Sequence, residues 1–147
     1  MRLTAKSEYG LLAVIDLAVS YGEGPVSARE IAERRDIPPR FLEQLFVSLR
    51  RGGVVSAVRG ARGGFALTRD PGEITVLEVV EALEGALETS VCDSERSSGC
   101  VRSGACAAAP IWAKATAALR DVFATTTLAE LAGNQERMDA RAGLARG

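Results

Sequence analysis

Residues 40–67, RFLEQLFVSLRRGGVVSAVRGARGGFAL, carry the pattern that decides the fold. Phe41, Leu42, Leu45, Phe46 and Leu49 recur at the three-four spacing of a helix with one apolar face, and Pro38-Pro39 just ahead suit a first helical turn. Gly52-Gly53 closes that helix. Val54–Val58 and Phe65–Thr68 then read as two short strands, joined by the glycine-rich run Arg59 to Gly64.

Upstream, Ser27-Ala28-Arg29-Glu30 has the Ser-x-x-Glu form of a capping box, which predicts a short helix from Ala28 to about Arg35. Earlier still, Leu11, Leu12, Val14, Ile15 and Ala18 repeat at helical spacing behind Thr4, a suitable N-cap, and Tyr21-Gly22-Glu23-Gly24-Pro25 stops them. Helix, short helix, longer helix and hairpin in that order describe a winged helix-turn-helix.

Downstream, Thr75-Val76-Leu77-Glu78 is a second capping box, opening a helix that runs to the Gly85 region. Pro110 starts a long amphipathic helix with Trp112, Ala115, Leu119, Val122 and Phe123 on one face, and Thr127-Leu128-Ala129-Glu130 caps a further short helix. From Gly133 the polar chain is expected to fray. The fold class is mainly α with a small β-hairpin: a winged helix-turn-helix (1–70), a connecting helix (71–90), a cysteine-rich loop (91–108), a long and a short helix (109–132), which the family resemblance given below makes dimerisation helices, and a flexible tail (133–147).

At 147 residues, 47% hydrophobic and 25% charged, the chain fits one ordinary globular unit. No apolar run approaches the roughly 20 residues of a membrane helix, and MRLTAKSEYG has no apolar signal core, so a cytoplasmic chain without a membrane partner is expected. There is no histidine to act as a base, no Cys-x2-Cys pair and no Gly-x4-Gly-Lys-Ser/Thr loop, which argues against an enzyme. The net charge of −1 hides an asymmetry: residues 1–69 hold eleven Arg or Lys against seven Asp or Glu, and residues 70–147 seven against twelve. A basic N-terminal half points to a polyanion.

Double-stranded DNA is the polyanion this motif suits. Arg40, Glu43 and Gln44 lie opposite the apolar stripe of the third helix, where Gln can pair with adenine and Glu can accept from cytosine. Arg50 and Arg51 end the same helix near phosphates, and Ser27 joins the DNA-facing set at the start of the preceding one. In the wing, Arg59, Gly60 and Arg62 combine cations with a backbone able to approach a narrow minor groove.

All three cysteines, Cys92, Cys100 and Cys106, fall in CDSERSSGCVRSGAC. An odd number does not make a disulfide framework. Read alone, three soft thiolates suggest a metal site that lacks one ligand, with thiol or disulfide redox sensing and zinc as alternatives to iron.

With MRLTAKSEYG, RFLEQLFVSLRRGGVVSAVRGARGGFAL, ITVLEVVEALEG and LAELAGNQE in view, the chain resembles the IscR/NsrR-like family of bacterial winged helix-turn-helix transcriptional regulators, the iron-sulfur cluster regulators. The resemblance spans Met1 to about Glu136. It implies a homodimer on a palindromic operator, with Pro110 to Ala124 as the main dimerisation helix. It also implies base reading by Glu43 and Gln44, and a wing contact by Arg59 and Gly60. A [2Fe-2S] or [4Fe-4S] cluster on Cys92, Cys100 and Cys106 would make the chain a regulator, most simply a repressor, of cluster status, nitric oxide or redox stress. Ala109 stands where the cluster regulators carry a histidine ligand, whereas Glu8 stands where nitric-oxide-sensitive members carry a carboxylate ligand, here reaching across the dimer. Otherwise Glu8 is a solvated charge favouring the helix dipole.

Overall fold

Side-chain caps fix where most of the helices begin. In the computed structural model, which describes residues 3–89, 100–102 and 104–144, the Thr4 hydroxyl accepts from the Lys6 amide and opens α1 (Ala5–Val19). Both capping boxes form: Ser27 with Glu30 opens α2 (Ala28–Arg35), and Thr75 with Glu78 opens α4 (Val76–Glu84). Pro39 begins α3 (Pro39–Arg51), since its missing N–H and fixed φ suit a first turn. Between α3 and α4 lie β1 (Val55–Val58), β2 (Gly64–Leu67) and a 3-10 turn, Pro71–Glu73. Then come α5 (Ala109–Thr125) and α6 (Leu128–Arg141).

The strands pair antiparallel, with Val55 opposite Leu67 and Val58 opposite Gly64. Val26, just before α2, adds a bridge to Phe65 through hydrogen bonds of 2.9 and 2.8 Å, so the wing is stitched to the first helix of the motif. Phe65 stacks on Phe46 of α3 with centroids 4.0 Å apart, and Tyr9 of α1 meets Phe41 edge-on at 5.7 Å. Leu42, Leu45, Phe46 and Leu49 are buried with Val14, Ile31, Val54 and Val79 in one core that α1 to α4 share. The apolar stripe thus holds α3 to the protein and leaves its other face in solvent.

Gly64 sits where the wing passes closest to the chain ahead of α2. A Cβ there would lie 2.3 Å from the Val26 carbonyl oxygen, a backbone atom that a rotamer change does not move. Gly64→Ala is expected to cost about 1–3 kcal/mol and to shear the wing from α2. Thermal denaturation and the exchange of the Phe65 amide check this, and an unchanged melting point would count against it.

One expectation is corrected. The stretch from Gly133 does not fray at once: α6 continues to Arg141, fourteen residues rather than a short helix, while residues 145–147 lie outside the described residues. Leu128 and Ala132 are buried, and α6 packs on α1 and the 3-10 turn. The Leu128 amide donates to the Ile74 carbonyl at 2.9 Å, and Gln135 donates to Asp139 one turn later at 2.8 Å. Packing supplies what the polar composition hides.

The face expected along α5 also divides. Leu119 and Phe123 pack, half-buried, on a small cluster of Val76, Val80 and Leu87, whereas Ile111, Trp112 and Val122 are exposed.

Candidate nucleic-acid interface and cysteine segment

The solvent face of α3 carries Arg40, Glu43, Gln44, Arg50 and Arg51, all exposed. On the wing, Arg59, Gly60 and Arg62 are exposed as well. The tip is a tight turn in which the Gly63 amide donates to the Gly60 carbonyl at 2.9 Å, and Gly60 takes φ +117°, a conformation that side chains rarely adopt. Ser27 is half-buried and engaged with Glu30, its hydroxyl accepting from the Glu30 amide at 3.2 Å.

The arginines sort into two sets. Arg34 and Arg35 turn inward to Asp16, a buried carboxylate of α1, at 3.1 and 2.9 Å, fastening α2 across α1. Arg69 donates to Glu78 at 2.6 Å and to the Glu73 carbonyl at 3.0 Å, tying the end of the wing to α4. Arg29 pairs with Glu33 on α2 and Arg120 with Glu81. Among the described residues, Arg40, Arg50, Arg51, Arg59 and Arg62 form no ion pair or hydrogen bond through their side chains. All five are exposed, on α3 and on the wing, and their guanidinium donors are available to phosphate and base edges.

The described residues that flank the cysteine-bearing segment lie against α5. Cys100 is exposed and Cys106 half-buried, both as free thiols, and Cys92 lies outside the described residues. Both roots of the segment meet α5. The Thr89 amide donates to the Thr116 hydroxyl at 3.1 Å, the two hydroxyls lie 2.8 Å apart, and the Thr89 hydroxyl donates to the Trp112 carbonyl at 3.2 Å. On the far side, Cys106 precedes Ala109, the first residue of α5, whose amide donates to the Cys106 carbonyl at 3.3 Å. Glu81 accepts from both Arg120 (2.5 Å) and the Leu87 amide (3.2 Å), so α4 reaches the same helix.

Thr116 is the one buried residue of α5, and two threonines 27 residues apart leave no local pattern by which to find them. Thr116→Val keeps the shape and removes the hydroxyl, leaving the Thr89 amide without its acceptor. A loss of about 1 kcal/mol is expected in chemical denaturation, restored by Thr116→Ser.

Glu8 is exposed on the first turn of α1. A second carboxylate, Glu84 at the end of α4, takes up the donors there: it accepts from the Thr4 amide at 3.0 Å, the Thr4 hydroxyl at 2.5 Å and the Ser7 hydroxyl at 2.9 Å. Burial pushes the Glu84 carboxyl up, but these hydrogen bonds outweigh it and hold the group below its ordinary value. Glu84 is therefore occupied, while Glu8 presents an open carboxylate. Glu8, Cys100 and Cys106 do not gather within one chain: among the described residues no three Cys, Asp or Glu side chains lie together as a metal site.

The hairpin stitched to a helical head, with unpaired cations on α3 and the wing, defines a winged-helix DNA-binding transcription regulator. A family model described as "Iron-dependent Transcriptional regulator", Rrf2, matches residues 3–134, and the chain belongs to that family. It is 38% identical over 139 residues to the HTH-type transcriptional regulator IscR of Xenorhabdus nematophila, covering 95% of this chain and 84% of the relative. The regulator of the same name from Klebsiella pneumoniae is equally similar, at 38% over the same shares. Among solved structures, CymR, the global cysteine regulator of B. subtilis, superimposes with a TM-score of 0.74 at 33% identity, covering 91% of this chain and 98% of that one. T. potens IscR gives 0.72 at 34% identity, covering 100% and 94%. The oxidized form of Staphylococcus aureus CymR gives 0.71 at 34%, covering 90% and 96%. These relatives are transcription regulators rather than enzymes. No described helix is long and apolar enough to cross a membrane.

Proposed function

We propose that the protein is a homodimeric repressor whose cysteine segment senses iron-sulfur cluster status, nitric oxide or redox stress and sets the affinity of two winged heads for a palindromic operator. Cys92, Cys100 and Cys106 hold a [2Fe-2S] or [4Fe-4S] group, and Glu8 of the partner subunit completes it. The donor set suits iron: two described thiols are accessible and unpaired by disulfide, and an open carboxylate stands ready on α1. When bound, such a group supplies a centre that reacts with nitric oxide or oxygen.

The observation that carries the reading is the rooting of both ends of the cysteine segment on the first turns of α5. A change in the segment on gaining or losing its group would reach α5 through Thr89 and Ala109, and α4 through Arg120 and Glu81, and α4 shares its core with α3. Ile111, Trp112 and Val122, uncovered in a single chain, suit burial against a second copy. The shift between strong and weak DNA-binding states then needs only a few kcal/mol of differential affinity.

Absorption spectra of anaerobically prepared protein, before and after nitric oxide and with operator binding followed alongside, test the reading. A preparation that stays colourless after anaerobic cluster reconstitution removes the cluster from it. A cluster-free thiol or zinc switch is the second reading, favoured by the similarity to CymR, for which an oxidized form has been solved. Intact-mass measurement of a disulfide, or stoichiometric zinc, would identify it.

A further inference from the structure

The solvent face of α3 holds a large hydrophobic residue that none of the DNA-binding roles above uses. Val47 is 56% exposed, although Leu42, Leu45, Phe46 and Leu49 of the same helix are buried. Helical geometry places it in the middle of the reading face. Advancing about 100° per residue, Val47 falls about 20° from Arg40, about 40° from Glu43 and Arg51, and about 60° from Gln44. It therefore stands one turn behind Glu43 and Gln44, flanked by unpaired guanidinium groups.

An isolated exposed valine is ordinary on a protein surface. This one stands among groups that draw a duplex to the helix, and in the major groove each polar base edge has its own donor or acceptor requirement that an isopropyl group cannot meet. The major groove offers one apolar feature, the C5-methyl of thymine. We propose that Val47 is a specificity-determining residue that packs against a thymine methyl, one per half-site, next to the base pairs read by Glu43 and Gln44. Its apolar atoms gain contact there and are removed from water. At cytosine the same position would lack the methyl and would bring an amino donor against an apolar surface.

The proposal rests on α3 lying in the major groove. It is tested with an operator obtained by random-sequence selection, in which each thymine is changed singly to deoxyuridine so that only the methyl is removed. For the wild-type dimer, one thymine per half-site is expected to show about a three- to fivefold loss of affinity, the scale of one buried methyl. Val47→Ala, which alters both half-sites of the dimer at once, is expected to bind the unmodified operator about ten- to twenty-fivefold more weakly, and to be indifferent to uracil at that position. Methyl effects absent from the wild type, or persisting unchanged in Val47→Ala, would overturn the proposal. Glu43→Ala and Gln44→Ala separate the two levels. If they relax sequence preference while the methyl effect is missing, Val47 alone has been misassigned; if neither relaxes it, the groove placement fails and Val47 with it.

Discussion

Cys106→Ser is expected to leave anaerobically purified protein colourless, with iron at background and the fold intact. A serine hydroxyl stays protonated near neutral pH and is a hard oxygen donor, so it replaces neither the charge nor the softness of a thiolate. With only two soft ligands left, the segment would no longer retain an iron-sulfur group through purification. The change costs the protein itself little: the Cys106 side chain is half-buried, its thiol makes no disulfide, and the carbonyl that meets the Ala109 amide is backbone, which serine also supplies. Denaturation is therefore expected to move by no more than about 0.5 kcal/mol. Cys100→Ser, at an exposed position, should behave alike. Glu8→Ala addresses the fourth ligand separately. Lost colour in that variant supports ligation by Glu8, and unchanged spectra together with an unchanged nitric oxide response would leave Glu8 as a solvated helix charge. A Cys106→Ser protein that keeps its visible absorption would exclude the three-cysteine site.

The head was largely legible because its determinants are local. Capping boxes at Ser27 and Thr75 announce themselves within four residues, and the apolar stripe of α3 has the period of the helix that buries it. What composition conceals is which arginines are free. Arg34, Arg35 and Arg69 look no different from Arg40 or Arg59 in a basic run, yet the first two are held by a buried aspartate 18 and 19 residues earlier and the third by Glu78. The same limit applies to α6, whose polar stretch is helical because α1 and the 3-10 turn receive it, and to the meeting of Thr89 with Thr116. Each of these depends on pairs distant in sequence, and periodicity is silent about such pairs. The candidate cysteine site was legible as a cluster of residue types; its attachment to α5 required the fold.

Arg59→Ala is expected to weaken operator binding about a hundredfold in a homodimer, about tenfold from each of two wings. Arg59 follows β1 directly, on the rim of a turn that Gly60 and Gly63 keep tight, and its guanidinium has no partner among the described residues. Such a wing places a cation beside a groove whose negative potential rises as it narrows. Because binding releases about 0.9 counterions per neutralised phosphate, loss of two such contacts should lower the slope of log affinity against log salt by about 1.8. Arg69→Ala provides the contrast. Arg69 lies only ten residues on, but it is engaged with Glu78 and the Glu73 carbonyl, so its removal should cost at most about 1 kcal/mol of stability and leave the salt slope unchanged. Filter binding or fluorescence anisotropy across a salt series reads both effects. Equal slopes for Arg59→Ala and wild type would remove the wing from the interface, and a reduced slope for Arg69→Ala would mean that the ion pair to Glu78 opens when DNA binds.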